Sequence, residues 1–125
     1  MNYWYLGASA FTMVTIGAHV LAGGPEIHEP VLQSGLSTEI KAVFSVVWHA
    51  ITAIMGLSAI ALAWAAFGNG SGAVPLIVAQ NLAFTGLFLF YGALRMGAMF
   101  VFPQWYVFLL LAGLAAMGYW RGVQA

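Results

Sequence analysis

The chain has 125 residues, with three basic and three acidic side chains and a formal net charge of zero. Hydrophobic residues make up 63% and charged residues 5%, and the mean hydropathy is +0.96. A soluble domain is about one quarter charged, so this composition excludes a water-soluble globular domain and a disordered tail. No basic patch is available for a phosphate backbone, which excludes nucleic-acid binding. With no cysteine, disulfides, thiolate metal sites and iron–sulfur clusters are excluded as well. What remains is an integral membrane protein whose solvent is lipid.

Four apolar segments follow, each near the ~20 residues that span a hydrocarbon core. Residues 1–10 contain no Lys or Arg, unlike the basic start of a secretory signal. The first segment is therefore expected to be a retained transmembrane helix over about 3–22. Tyr3, Trp4 and Tyr5 form its interfacial aromatic anchor. Gly23-Gly24-Pro25 is expected to end it, and residues 23–37 then form one long loop. The second helix is predicted over 38–67, with Ser37 as cap and Glu39 in the first turn. Gly68-Asn69-Gly70-Ser71-Gly72 reads as a turn. The third helix is predicted over 75–102 and the fourth over 103–121, with Pro103 as the break between them. Trp105, Tyr106, Tyr119 and Trp120 mark the two ends of the fourth.

The expected architecture is thus all-α: a single membrane domain over 1–125, a four-transmembrane-helix bundle with both termini on the same side. The short connections predict that helices two and three, and three and four, are antiparallel neighbours. Lys41 and Arg95 lean to one face and Arg121 to the other. The termini are placed on the cytoplasmic side of a bacterial-type inner membrane.

The polar residues gather toward the face that carries loop 23–37. His19 lies about 5 Å from the predicted end of helix one. His49 lies about 10 Å into the apolar part of helix two. Arg95 is within about two turns of Pro103, and His28, Glu26 and Glu29 are in the loop itself. Thr12, Thr15 and His19 share one stripe of helix one; Ser45, His49, Thr52 and Gly56 share one stripe of helix two. Polar stripes turn inward in lipid, so His19 and His49 are expected to face each other.

Ionisable side chains in a membrane often mark function. Three ligand chemistries fit this set. His19, His28 and His49 with Glu26 or Glu29 supply three or four ligands for Cu, Zn or Fe. His19 and His49 from facing helices are positioned as axial ligands of haem b. A quinone or another amphipathic molecule would use histidine as donor with Arg95 nearby. Each residue also has an ordinary role: histidine as interhelical glue, arginine snorkelling to the interface, glutamates as solvated charges. Met13, Met55, Met96, Met99 and Met117 read as packing rather than as a copper path.

Four spans in so short a chain, opening M-N-Y-W-Y-L-G, resemble the small multidrug resistance transporters. That resemblance implies a glutamate embedded in the first helix. Here Phe11, Thr12, Met13, Val14, Thr15 and Ile16 occupy its middle, so proton-coupled drug export is not expected. The size is also similar to vitamin K epoxide reductase-like proteins, which need the cysteines this chain lacks. Two further roles fit the composition: an accessory subunit of a larger membrane complex, and a small oligomeric transporter. Gly56, Gly86, Gly92, Gly97, Gly113 and Gly118 would allow the close helix contacts that a homo-oligomer or complex needs.

Overall fold

The computed structural model describes residues 1–98 and 100–123, which form helices joined by short turns, with no strand among them. Helix α1 runs Tyr3–Leu21, α2 Glu29–Gln33, α3 Thr38–Ala66, α4 Val74–Arg95 and α5 Gln104–Val123. A π-turn, Gly24–His28, joins α1 to α2, and a 3-10 turn, Ser71–Ala73, precedes α4. Three stretches, Tyr3–Gln33, Thr38–Ala66 and Ser71–Arg95, are long and apolar enough to cross a membrane. Helix satisfies every backbone group within its own segment, the condition lipid imposes.

One end of the bundle is held together by Asn2. Its side chain caps α1 by accepting from the Trp4 and Tyr5 amides. Its backbone N–H donates to Ala66 O at 2.8 Å, and its Nδ2 donates to Gly118 O at 2.8 Å. The start of α1 and the ends of α3 and α5 therefore share one level on the same side of the bundle.

The opposite end differs from the sequence-based expectation in two ways. Residues 23–33 are not an irregular loop, because the helix continues through Gly23-Gly24-Pro25 into α2. Proline lacks an N–H and its ring crowds the carbonyl four residues back, and a wider turn relieves both problems. Glu29 N–H accordingly donates to Gly24 O, five residues back. The 31 residues of Tyr3–Gln33 span about 46 Å, against ~30 Å for a hydrocarbon core. With the 29-residue α3 they form a hairpin that overshoots α4 by roughly 10 Å.

The second difference is that α4 stops at Arg95, well before Pro103. Gly97 adopts φ 68°, the left-handed conformation that closes a helix without a Cβ penalty. Met96 N–H donates to Tyr91 O and Ala98 N–H to Gly92 O across this turn. Met99 lies outside the described residues.

Side-chain size decides which helices touch. α1 packs on both α3 and α5, and α4 packs on α5. The first interfaces are built from small residues: Ala8, Ala59, Ala65, Ala66 and Ala115 are all buried. Small residues let backbones approach in lipid. Ser9 Oγ donates to Ala59 O across α1 and α3 at 2.8 Å, and Thr85 Oγ1 donates to Trp105 O across α4 and α5 at 3.2 Å. Between α3 and α4 the residues are bulky. Phe84 and Phe88 pack against the cluster of Met55, Phe108 and Leu111, and Gln80 Nε2 reaches Ser58 Oγ. Helices α3 and α4, expected as antiparallel neighbours, do meet, but through long side chains, while α1 and α5 make the closer backbone contacts. Gly56, Gly86 and Gly113 face open space, whereas Gly118 lies directly under the Tyr5 ring.

Candidate functional site

The three histidines gather around Trp48: His19 and His28 stack on the indole, and His49 reaches the cluster through His28. His19 stacks on the Trp48 indole with ring centroids 4.0 Å apart and planes 20° apart. His28 lies parallel to the same indole at 5.4 Å. Phe44 completes a triangle of rings, 5.9 Å from His28 and 6.2 Å from Trp48. Trp48 is only 9% exposed, and the backbone of Gly23 approaches so closely that a Cβ there would be 3.1 Å from the indole edge. His19 Nε2, as a donor, makes a long 3.5 Å hydrogen bond to Trp48 O.

The π-turn is what brings His28 into this cluster. On an uninterrupted helix nine residues rotate through about 180° net, so His28 would face away from His19. One extra residue in the turn removes about 100° of that rotation. His28 then points at α3, where its Nε2 hydrogen-bonds Ser45 Oγ at 2.9 Å.

His49 is not where the polar stripe placed it. Trp48, not His49, occupies the contact with α1, because the apolar indole fills the interface between the helices more completely than an imidazole. His49 is exposed and meets His28 edge-on, with centroids 5.5 Å apart. Thr12, Thr15 and Thr52 turn their hydroxyls to carbonyls of their own helices, as donors at 2.8, 2.9 and 3.2 Å. Glu26 and Glu29 are exposed on the π-turn and at the start of α2. Among the described residues no three His, Asp or Glu side chains are arranged to hold a metal ion. His28 and His49 are the two imidazoles in mutual ring contact, while His19 meets the indole.

These placements predict different costs for two histidines. His49→Ala is expected to change stability by less than about 0.5 kcal/mol, as for an exposed side chain. His28→Ala is expected to cost about 1 kcal/mol through the lost Ser45 hydrogen bond. Thermal unfolding of both variants in one detergent checks this, and equal losses would contradict it.

Arg95 belongs to a second feature at the same end. A groove of about 390 Å³ opens between α3 and α4. Ile51 forms one wall, Phe84, Phe88 and Tyr91 the other, with Phe102 and Arg95 at its end. Ile51 is about 60° round α3 from Trp48, so the two features lie on adjacent faces of one helix. Phe88 stacks on Phe108 at 5.7 Å with planes 9° apart, and Phe84 meets the same ring edge-on at 5.1 Å. The aromatic floor is therefore immobilised by α5. The sequence held a signal for this wall: positions 84, 88, 91 and 95 follow helical spacing along one stripe of α4. Trp48, the centre of the histidine cluster, carried no such signal.

Comparison with protein-family models, with curated proteins and with solved structures finds no match to the chain.

Proposed function

We propose that the chain is a multi-pass membrane protein that binds an amphipathic ligand entering sideways from the bilayer. The site is on the side that carries the histidines and Arg95. The observation that supports this reading is the groove between α3 and α4. Its volume of about 390 Å³ is within the ~300–1,000 Å³ range of small-molecule sites. Its walls are apolar and aromatic, and Arg95 is the one charged side chain among its described lining residues. Apolar walls ending in a fixed charge suit a molecule with a hydrocarbon body and a polar head.

The bilayer itself is supported by the outer surface. Leu57, Ile60, Trp64, Leu76 and Leu94 are each more than 60% exposed, and an apolar surface that extensive is matched by lipid and not by water. A metal or haem role would rest on the His28–His49 pair, with two imidazoles in contact in place of three or four ligands. The groove is the more complete site.

Native mass spectrometry of the detergent-purified, delipidated protein tests the reading. Titrated with a mixture of dioleoyl lipids of different head groups, the wild type is expected to retain one lipid per chain. Ile51→Trp, which fills the groove from α3, is expected to lose that adduct while melting near the wild-type temperature. Equal retention by both proteins would overturn the proposal.

A further inference from the structure

The groove ends at Arg95, and that end identifies the ligand more closely. Arg95 is the last residue of α4 and is exposed, at the end of a stretch long and apolar enough to cross a membrane. From Arg95 down to Phe84 the groove wall descends eleven residues, about 16 Å. That is about half of a ~30 Å hydrocarbon core, the depth of one leaflet. A guanidinium presents its donors in a planar fork that matches two phosphate oxygens.

We propose that the groove holds one acyl chain of an anionic phospholipid, drawn from the leaflet on the side of the α2 hairpin. Its phosphate pairs with Arg95, and its chain runs down Tyr91, Phe88 and Phe84 against Ile51. The second chain stays in the bulk leaflet, because the groove opens sideways. This rests on the groove being the ligand site, and it adds the head-group charge, the leaflet and the depth.

The experiment compares three probes by native mass spectrometry on the full chain: dioleoyl phosphatidylglycerol, dioleoyl phosphatidylcholine and free oleate. Phosphatidylglycerol is expected to be retained about fivefold better than phosphatidylcholine, the preference one interfacial arginine provides. In Arg95→Gln that preference is expected to vanish while a lipid is still retained. Equal retention of both phospholipids by the wild type, or an unchanged preference in Arg95→Gln, overturns the anionic head group and leaves the groove reading intact. Stronger retention of oleate than of phosphatidylglycerol overturns the phospholipid source. An adduct that survives Ile51→Trp unchanged overturns the groove itself, and is thus distinguishable from the other failures.

Discussion

Trp48→Ala is expected to destabilise the protein by about 3–5 kcal/mol, the range for deleting a large buried ring. The indole is 9% exposed and stacks with both His19 and His28, with Gly23 against its edge. No neighbour can collapse into the space it leaves, because α1, the π-turn and α3 each contribute one side of that space. The damage is expected to be local to the long hairpin. The other end of the bundle keeps its Asn2 hydrogen bonds and its alanine-rich core. Unfolding followed by circular dichroism in detergent measures the total, and hydrogen exchange over residues 23–37 measures the local part. Trp48→Phe retains a stacked ring and is expected to recover most of the loss. Wild-type melting of Trp48→Ala, with unchanged exchange in 23–37, would show that the stack does not hold the hairpin.

Gly118→Ala is the second large expected effect, about 1–3 kcal/mol from overpacking. A Cβ at position 118 would enter the Tyr5 ring and press on Trp4 Cβ. Tyr5 is 3% exposed and is anchored from below by the buried Ala8, Leu62 and Ala115 cluster, so it cannot swing aside. The added methyl would push α1 away from α5 and lengthen the hydrogen bond from Asn2 to Gly118 O. The double variant Tyr5→Ala with Gly118→Ala separates this account from a general helix effect. In the Tyr5→Ala background the alanine at 118 is expected to cost little or to stabilise, since Ala is the better helix former. Additive losses would place the fault elsewhere.

Much of the helix pattern was legible in the residues. The starts at Tyr3 and Thr38, the ends near Leu21 and Ala66, and the turn through Gly68 and Gly70 all fall within a residue or two of the expectation. Hydrophobic length and glycine content carry that information locally. The end of α4 was also written locally, with Arg95 in the last turn and Gly97 just beyond, but Pro103 was the more conspicuous breaker and drew the boundary to itself. Gly23-Gly24-Pro25 misled for the opposite reason. Those residues disfavour an α-turn, but a π-turn accommodates the proline, and its value lies in a contact with α3 that local chemistry does not contain.

The candidate site divides in the same way. That His19, His28, His49 and Arg95 lie toward one end followed from their distances along the antiparallel helices. Which of them touch did not follow, because a shift of one residue turns a helical side chain by about 100°. That shift put His28 on Ser45, let Trp48 take the contact expected of His49, and left His49 exposed.

By itself, the sequence determined the apolar character of the helices, the helical class and the end of the bundle where the ionisable groups gather. It did so because composition and span length act along the chain. The tertiary structure alone decided the helix neighbours, the Trp48-centred cluster and the groove. Alanines let α1 close on α3 and α5, while phenylalanines hold α3 and α4 apart. The shape left between them depends on side-chain volume summed across helices that are distant in sequence.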